Sequence, residues 1–398
     1  MPERIEPLAV AACSATSALG HGLAAQFEAL RSGRGGLRAN DFSSASLECR
    51  IGRVAGVEDA ALPAPLAHWD CRNNRLAWLG LQQDGLMDAI ARAVARHGAT
   101  RVALILGTST ASIGATEDAY RRLDRGRFPE DLQRPEIHTP HSLAAFVADA
   151  TGITGPALTI STACSSSAKV FASAERLIRL GLVDAALVGG VDTLCDSVLF
   201  GFHSLELVSK RACRPFDAQR DGISIGEAAA FALLERIDAA PHAPRLLGYG
   251  ESSDAHHMST PHPEGRGAQA ALHDALARAG IDASAVDYVN LHGTATPKND
   301  EVEAKLLPRF AQRTRASSTK GFTGHTLGAA GALEAVFALL AIEHGIVPPN
   351  LGCGEPMPEA APWLALQPSE RRIDVALSNS FGFGGNNACL VFGHGGAE

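Results

Sequence analysis

One cysteine lies in a sequence context that suits nucleophilic chemistry. Cys164 belongs to the segment STACSSS, which follows the short apolar run 157–160 and precedes a segment of helical period. A nucleophile at a tight turn between a strand and a helix is exposed to substrate, and the unpaired N–H groups of the first helical turn stabilise its thiolate. A cysteine in an apolar chain is usually an inert core residue, and this interpretation suits the other seven. The small polar neighbours of Cys164 favour a nucleophile.

Two histidines lie in segments unlike ordinary core sequence. His292 is in LHGTAT, at the end of an apolar run, and His325 is in GHTLG, at the start of a helix. Glycines let a ligand approach the backbone, and threonine hydroxyls can orient an imidazole. Each histidine alone is more often structural. Together with Cys164 they resemble a nucleophile with two proton-handling or oxyanion-binding groups.

Two charged residues and a glycine-rich loop complete the candidate site. Lys320 lies five residues before His325, and Glu303 lies eleven residues after His292. This spacing suits residues that set the charge state of the cluster, and equally a surface ion pair. The loop NSFGFGGNN (379–387) can aim backbone N–H groups at a developing oxyanion, although a glycine-rich turn between strands is also an ordinary hairpin. It lacks the sequence pattern of a phosphate-binding loop.

The segments that must position these residues alternate between two periodicities. Short apolar runs alternate with longer segments of helical period, which indicates an α/β fold with buried sheets. The predicted strands include 102–106, 185–188, 286–291 and 373–377. The predicted helices lie near 75–97, 165–180, 266–279 and 328–344. The Pro/His-rich stretch 241–244 predicts a boundary between an N-terminal half, 1–240, and a C-terminal half, 241–398.

A faint internal repeat relates the two halves. A helical segment leads into RVALILG and then GTST in the first half, and into VDYVNLH and then GTAT in the second. In the same register, Cys164 and His325 both stand at the start of a helix. Chance similarity between alanine-rich helices is the alternative explanation. If the repeat is structural, a pseudo-twofold axis brings Cys164 and His325 face to face.

Composition argues against several classes of function. Lys plus Arg number 35 against 43 Asp plus Glu, a net charge of −8, which disfavours binding to nucleic acid or an anionic membrane. No stretch of about 18 predominantly apolar residues is expected, so no segment is predicted to span a membrane. The closest pair among the eight cysteines is 18 residues apart. Zinc-binding and C-x-x-C redox motifs are therefore not expected. Widely spaced thiols in a large chain are typical of a reducing compartment, so a cytoplasmic location is expected.

Four motifs in order produce a resemblance that covers nearly the whole chain. STACSSS, LHGTATPKND, STKGFTGHTLGAAGALE and NSFGFGGNN resemble the β-ketoacyl-acyl-carrier-protein synthases of the decarboxylating FabB/FabF type. The resemblance implies a thiolase-like, five-layered αβαβα sandwich of two pseudo-symmetric halves. It also implies an acyl carrier protein as partner, and a homodimer or a heterodimer with a related ketosynthase-like subunit. No metal and no separate cofactor are expected, because phosphopantetheine arrives on the carrier protein.

The resemblance assigns catalytic roles to residues that match the family's motifs. Cys164 would carry the acyl chain as a thioester. His292 and His325 would assist decarboxylation of the malonyl carrier, and the resulting carbanion would lengthen the chain by two carbons. The backbone N–H groups of Cys164 and Phe383 would form the oxyanion hole. The ring of Phe383, with that of Phe202, would gate the acyl tunnel.

The resemblance also assigns supporting and substrate-binding residues. Lys320 and Glu303 would support the two histidines by hydrogen bonding. Thr294 and Thr296 match the positions that contact the phosphopantetheine arm. Decarboxylation agrees with this set, because it needs neutral N–H donors in a site that excludes water.

Two departures from the housekeeping synthases bear on the substrate. TSTASIG (108–114) is more polar than the family's glycine-rich equivalent and is expected near the acyl pocket, with Thr110 and Ser112 as substrate-binding residues. GEAA (226–229) replaces the commoner Gly-Glu/Asp-Gly-Ala pattern. The polar segment is reminiscent of synthases from aryl-polyene pigment clusters, where the growing chain is conjugated and stiff. The expected role is elongation of a fatty acid, polyketide or polyene chain.

Other functions use the same fold or other residues of this chain. A degradative thiolase needs a second catalytic cysteine in a Cys-x-Gly motif, which Cys389 does not match. A non-elongating partner subunit of the chain-length-factor type usually lacks the nucleophile that is present here, and an acyltransferase on the same fold stays open. A metal hydrolase built on His256, His257 and His262 is disfavoured, because adjacent histidines do not share one helical face.

Overall fold

Strands and helices alternate along most of the chain, as the two periodicities predict. The computed structural model describes residues 3–43 and 45–395. The strands are β1 (Leu8–Ser17), β2 (Gly20–His21), β3 (Arg38–Ala39), β4 (Arg50–Gly52), β5 (Val102–Gly107), β6 (Ala157–Ile160), β7 (Ala185–Asp192), β8 (Ile225–Gly226), β9 (Ala228–Arg236), β10 (Arg245–Ser253), β11 (Tyr288–Asn290), β12 (Arg315–Ser317), β13 (Ile346–Val347), β14 (Ser369–Glu370), β15 (Val375–Gly382) and β16 (Asn386–Gly393). The helices are α1 (Gly22–Ser32), α2 (Arg72–Leu81), α3 (Leu86–His97), α4 (Ile113–Arg121), α5 (Ser142–Thr151), α6 (Ser166–Arg179), α7 (Asp196–Ser204), α8 (Arg266–Ala279), α9 (Pro297–Ala304), α10 (Lys320–Thr323) and α11 (Ala330–His344).

Five main strands in each half form sheets of the same topology. The spatial order is β6-β5-β7-β9-β1 in the first half and β12-β11-β15-β16-β10 in the second. When the five strands of each half are numbered from 1 to 5 in chain order, the spatial order is 3-2-4-5-1 in both halves. The pairs 3-2 and 2-4 are parallel in both sheets, and the pairs 4-5 and 5-1 are antiparallel. The sheets meet along a short antiparallel contact of β1 with β10. The predicted repeat is therefore structural.

Helices lie between the two sheets and on both outer faces. α6 packs against β5 and β7, and α11 packs against β15 of one sheet and β9 of the other. On the outer faces, α2, α3 and α5 cover the N-terminal sheet, and α8 covers β10 and β16. Separate apolar clusters fill the centre and the two outer interfaces. The predicted thiolase-like, five-layered αβαβα sandwich of two pseudo-symmetric halves is confirmed.

The central position of α11 corrects one expectation. Leu327–His344, which includes α11, has 18 residues and a mean hydropathy of 1.5, so the chain does contain an apolar helix long enough to cross a membrane. The prediction that no such stretch exists is wrong. However, 89% of this segment is buried inside the protein. A helix that lies between two sheets contacts protein on every side, which explains its apolar sequence without a membrane.

One predicted helix is interrupted, and the others lie close to their expected places. The segment near 75–97 forms two helices, α2 and α3, because Asp84 and Gly85 adopt left-handed conformations with φ of 56° and 68°. The helices predicted near 165–180, 266–279 and 328–344 correspond to α6, α8 and α11. The division of the chain at residue 240 stays a prediction.

Candidate active site

Cys164 lies at the turn between β6 and α6. The preceding residue, Ala163, has a φ of 53°, which is a strained conformation for a residue other than glycine. Ser166 Oγ donates to the Ala163 carbonyl at 2.6 Å and accepts from the Thr162 N–H at 2.8 Å. These bonds hold the strained turn in place. The side chain is only 6% exposed, so reagents must approach the thiol through a cavity.

His325 faces Cys164 from the second half of the chain. Its Nε2 lies 2.9 Å from the Cys164 sulfur. The Leu327 N–H donates to His325 Nδ1 at 3.2 Å, so Nδ1 is an acceptor and Nε2 carries the proton of the neutral ring. Burial lowers the pKa of His325 well below 6.5, and the charge of Lys320 contributes. The site therefore aims a neutral N–H donor at the sulfur, across the pseudo-twofold axis.

His292 presents a second neutral imidazole to the same space. It follows β11, and its ring lies 5.4 Å from that of His325, centre to centre, at an angle of 87°. Lys320 Nζ lies 3.4 Å from His292 Nδ1 and donates to the His292 carbonyl at 2.6 Å. Because the ammonium is a donor only, Nδ1 accepts and Nε2 is protonated. Burial lowers the pKa of His292 well below 6.5, and the charge of Lys320 contributes.

Lys320 is buried beside the histidines and is neutralised by a residue that the sequence analysis did not select. Its ammonium pairs with the carboxylate of Glu334, which projects from the central helix α11. Both side chains are at most 3% exposed, so a surface ion pair is excluded. Burial raises the pKa of Glu334 to about 7, and the charge of Lys320 opposes this rise. The available signal was a glutamate surrounded by apolar residues in the first half of α11.

Glu303 supports the backbone at His292 and does not bond to the imidazole ring of that residue. Its carboxylate accepts from the N–H groups of His292 at 2.8 Å and Gly293 at 2.7 Å, and from Asn379 Nδ2 at 3.0 Å. Burial raises its pKa to about 7, whereas these hydrogen bonds lower it. Glu303, on α9, thus fastens the end of β11 to the start of the glycine-rich loop.

The glycine-rich loop places a second backbone donor at the sulfur. Burial raises the pKa of the Cys164 thiol to about 11, and Lys320 and the backbone N–H groups of Phe383 and Cys164 oppose the rise. Two N–H groups therefore face the sulfur. The Phe383 ring lies 5.5 Å from the ring of Phe202 on α7, centre to centre. The two aromatic rings stand together beside the nucleophile.

A cavity of about 340 Å³ connects these groups to the surface. Cys164, His292 and His325 form its inner end, and both phenylalanine rings line it. Thr294 and Thr296 also line it, with their hydroxyl oxygens 2.8 Å apart. Nine of the eleven residues selected from the sequence lie in or directly around this cavity, and they are Cys164, Phe202, His292, Thr294, Thr296, Glu303, Lys320, His325 and Phe383.

Thr110 and Ser112 do not line this cavity. The Thr110 hydroxyl donates to the buried carboxylate of Asp192 at 2.7 Å, and the Ser112 hydroxyl donates to the Ile137 carbonyl. Both hydroxyls are thus used inside the protein, and a role in acyl binding stays a prediction for these two residues. Asp192 was not selected from the sequence, although a carboxylate at the end of an apolar strand was a usable signal.

The residues of the rival functions are arranged differently. Cys389 is buried within β16, and its thiol donates to Asn379 Oδ1 at 3.0 Å. Burial raises the pKa of Cys389 well above 9, and unlike Cys164 this thiol does not line the cavity that holds the histidines. His256, His257 and His262 lie in the loop between β10 and α8, and within residues 3–43 and 45–395 they do not form a cluster with metal-ligand spacing.

Cys164, His292 and His325 themselves have a spacing that would allow metal binding. Their sulfur and ring nitrogens lie within 4.8 Å of one another. A histidine ligand usually donates its other ring N–H to an acceptor, whereas Nδ1 of His325 faces a backbone N–H and Nδ1 of His292 faces an ammonium. The buried charge of Lys320 also repels a cation. These contacts favour hydrogen bonding, and the expectation that no metal is used stays a prediction.

Comparisons with known proteins agree with this arrangement. Residues 6–240 match the family model of the β-ketoacyl synthase N-terminal domain, and residues 244–354 match that of the C-terminal domain. A 3-oxoacyl-acyl-carrier-protein synthase 2 from Rhizobium meliloti is 41% identical over 255 residues, an alignment that covers 60% of this chain and 60% of that protein. The chain thus aligns with less than two thirds of that relative.

Two solved structures match almost the whole chain. One is a ketosynthase (ApeO) in complex with its chain length factor (ApeC) from Xenorhabdus doucetiae, with 40% identity, a TM-score of 0.89 and 98% of both chains covered. The other contains a type II polyketide synthase acyl-carrier protein in complex with its ketosynthase, with 25% identity and a TM-score of 0.88, covering 99% of this chain and 100% of that chain. Both family models and the sandwich of two matching halves lead to one conclusion: the chain belongs to the β-ketoacyl synthase family.

Proposed function

We propose that this chain is a 3-oxoacyl-acyl-carrier-protein synthase, an acyltransferase that extends an acyl chain by decarboxylative condensation with a malonyl carrier. The observation that carries the proposal is the contact of the Cys164 sulfur with a neutral, buried imidazole at 2.9 Å, beside a second neutral imidazole. A thiol, two neutral N–H donors and two backbone N–H donors in one cavity supply what the two half-reactions require.

The first half-reaction is transfer of the acyl group to Cys164. The sulfur attacks the thioester carbon of the acyl carrier, a new C–S bond forms, and the bond to the carrier sulfur breaks. Cys164 loses its thiol proton, and the released carrier sulfur takes up one proton to become a thiol. The N–H groups of Cys164 and Phe383 stabilise the tetrahedral oxyanion, and the N-terminus of α6 and the charge of Lys320 favour the thiolate.

The second half-reaction is decarboxylation and carbon–carbon bond formation. The bond between the malonyl carboxylate and its α-carbon breaks, carbon dioxide leaves, and the electron pair moves into an enolate. The Nε2–H groups of His292 and His325 donate to the enolate oxygen. Both rings are neutral, and a neutral imidazole already carries one N–H group, so neither ring must be protonated first. The enolate carbon attacks the Cys164 thioester. Collapse of the second tetrahedral intermediate releases the Cys164 thiolate and the lengthened chain.

The substrate reaches the cavity on an acyl carrier protein, which also supplies the phosphopantetheine group. Thr294 and Thr296 line the cavity between the catalytic residues and α9, where their hydroxyls can bond an amide-bearing arm. The residues described around Cys164 supply the hydrogen bonds and the nucleophile that the reaction needs. We therefore propose no resident cofactor.

A second subunit is part of the proposed enzyme. The structural match to a ketosynthase in complex with its chain length factor extends over 98% of both chains, which supports pairing with a related subunit. A purely non-elongating role is disfavoured, because Cys164 and both histidines are present and assembled. The eight cysteines are free thiols, which supports a location in the cytoplasm.

The growing chain is a fatty acyl, polyketide or polyene chain. The match to a type II polyketide synthase ketosynthase bound to a hexaketide supports a polyketide-type chain. The polar segment 108–114 does not add support, because the hydroxyls of Thr110 and Ser112 are bonded inside the protein. An aryl-polyene substrate thus stays a prediction from the sequence.

Intact-mass analysis with a panel of acyl carrier proteins tests this function. We expect one acyl group to transfer to the protein, peptide mapping to locate it on Cys164, and malonyl carrier to release it as a β-ketoacyl product. Cys353→Ser is the matched control, because this partly exposed thiol lies outside the cavity and its loss should leave loading unchanged. Acylation of another cysteine, or loading without condensation in every combination with a partner subunit, would contradict the proposal.

A further inference from the structure

A buried carboxylate at the end of β7 collects donors from two separate segments. Asp192 has no exposed surface, and its Oδ1 accepts from the hydroxyls of Thr108 at 2.6 Å and Thr110 at 2.7 Å. The N–H groups of Ser109 and Thr110 also donate to this carboxylate, at 2.9 and 2.8 Å. The fifth donor is the N–H of Gly328, at 2.5 Å from Oδ2. A buried carboxylate with so many donors holds its neighbours firmly.

The first of these segments leads to the nucleophile. Ser109, whose backbone is held by Asp192, donates its hydroxyl to the Ala163 carbonyl at 3.2 Å. Ala163 is the residue with a left-handed φ that directly precedes Cys164. The loop after β5 thus bonds to the strained turn that orients the sulfur.

The second segment leads to the histidine that contacts that sulfur. Gly328 follows Leu327, whose N–H sets the tautomer of His325 by donating to Nδ1. Leu327 has a φ of 56°, so this turn is also strained. A Cβ atom on Gly328 would lie 2.7 Å from Asp192 Oδ2, a distance that real Cβ contacts do not show. Only glycine permits the approach of this turn to the carboxylate.

We propose that Asp192 is a positioning residue that sets the distance between the Cys164 sulfur and His325 Nε2 by holding the turns on both sides. This inference rests on the proposed function in that the pair it aligns is the proposed catalytic pair. Asp192 touches neither sulfur nor imidazole, and it acts through Ser109 and Gly328. Its place between the halves suits this role, because Cys164 and His325 come from different halves and no covalent segment fixes their separation.

The rate of Cys164 alkylation by iodoacetamide, measured across pH, tests the inference. Asp192→Asn keeps the shape of the side chain, but its NH2 group opposes an N–H donor whichever way the amide is turned. We expect the alkylation rate of the folded variant at neutral pH to be lower by at least about tenfold. A displacement of about 1 Å can cost about 100-fold in the rate of a positioned reaction. We also expect its pH profile to move upward, because the thiolate loses the aligned donor of His325. The other charged and titratable groups at the sulfur, Lys320, Glu334 and His292, are unchanged.

Matched variants separate positioning from a general effect on stability. Glu175→Gln removes another buried carboxylate, on α6, which accepts from Tyr249 and does not reach the cavity. Its alkylation profile should match that of the unmodified chain. Ser109→Ala removes the hydroxyl bond to Ala163 and leaves Asp192 in place, and should move the profile in the same direction by a smaller amount.

The outcomes decide between the two proposals. A folded Asp192→Asn variant with an unchanged profile would overturn the inference, as would an equal shift in Glu175→Gln. If Asp192→Asn does not fold, an unchanged profile of Ser109→Ala has the same consequence. Alkylation requires no acyl carrier, so a shifted profile in a chain that never condenses acyl groups would contradict the proposed function and leave the role of Asp192 standing.

Discussion

At the scale of single residues, burial decides the chemistry of the site. Removal from water disfavours charged forms, so it lowers the pKa of His292 and His325 and raises that of Cys164 to about 11. Two neutral donors therefore face a thiol that stays largely protonated until substrate arrives. The ammonium of Lys320 contacts His292, and Glu334 compensates its charge. This division favours stabilisation of an enolate by N–H groups over proton transfer by an imidazolium.

Replacing Cys164 by Gln should separate the two half-reactions. The Gln amide occupies the place of the acyl thioester, so the site should behave as if already loaded. We expect Cys164→Gln to lose condensation and still release carbon dioxide from the malonyl carrier. Changing His292 or His325 to Ala in that background should reduce the release by about 100- to 1000-fold, the usual cost of one missing oxyanion donor. Release of labelled carbon dioxide measures both effects.

Two results would argue against this division of labour. One is a folded Cys164→Gln variant that releases no carbon dioxide. The other is histidine variants that decarboxylate as fast as their parent. Cys353→Gln is the control, because it introduces the same side chain outside the cavity and should keep full condensation.

The protonation state of the histidines predicts their nuclear magnetic resonance signals. Because burial lowers both pKa values well below 6.5, the rings of His292 and His325 should stay neutral from about pH 8 down to about pH 6, with the proton on Nε2. Nitrogen-15 shifts of labelled histidines measure the tautomer and its pH dependence. The unfolded chain is the control, since free imidazoles titrate near 6.5. Titration of either ring near 6.5 in the folded protein would refute the assignment.

At the scale of elements, the site depends on turns at the ends of strands and on the starts of helices. The glycine-rich turn after β15 brings the Phe383 N–H to the sulfur and the Phe383 ring to Phe202 on α7. Gly384 in this turn has a φ of 76°, which glycine adopts without strain. One short turn thus supplies both an oxyanion donor and half of an aromatic pair beside the cavity.

Removal of the aromatic pair should change acyl selectivity more than catalysis. In Phe202→Ala and Phe383→Ala, the backbone donor of residue 383 remains and the cavity wall is lost. We expect discrimination between short and medium acyl chains to fall by about tenfold, since one methylene in an apolar pocket is worth about 10- to 200-fold. Competitive loading of Cys164, followed by mass spectrometry, measures it.

A neighbouring residue provides the control for this effect. Phe200 is on the same helix as Phe202 but does not line the cavity, so Phe200→Ala should keep the selectivity of the unmodified chain. Unchanged selectivity in both cavity variants would show that the rings do not gate the tunnel.

At the scale of the whole molecule, the two halves differ at their sheet edges. The outer edge of β12 is covered, because Ala316 exchanges backbone hydrogen bonds with Trp363 and Ala365. The edge strand of the other half, β6, has β5 as its one partner in the described sheet, and its Leu158 is 45% exposed. An uncovered edge strand with an exposed apolar side chain is a pairing surface. It also lies directly before the nucleophile.

We therefore expect a dimer, of this chain or with a related subunit, that pairs through β6. Light scattering should give twice the mass of one chain. If the chain is coexpressed with a related subunit, it should give the mass of a one-to-one complex. Leu158→Lys should weaken the dimer by about tenfold, or about 1.4 kcal/mol. Leu366→Lys, at another exposed leucine, should not. A fully active monomer would refute the expectation.

Local sequence was sufficient to predict the alternation of strands and helices, the internal repeat and the segments that carry Cys164, His292 and His325. Buried strands and helices differ in the period of their apolar residues, and each chemical motif is continuous: the elbow at Cys164, the turns at His292 and His325, and the glycine-rich loop. Such features depend on neighbours in the chain, so they can be predicted from it. The resemblance to a family added roles that the residue types alone left open.

Only the tertiary structure decided which separated groups meet. Lys320 pairs with Glu334 and not with Glu303, and the predicted acyl-pocket residue Thr110 bonds Asp192. The sequence also did not predict the break between α2 and α3, which depends on the left-handed conformations of two consecutive residues. Nor did it predict that the apolar α11 is buried between the two sheets. A buried charge takes whichever partner the packing of helices and sheets brings within hydrogen-bond distance, and sequence spacing does not contain that distance.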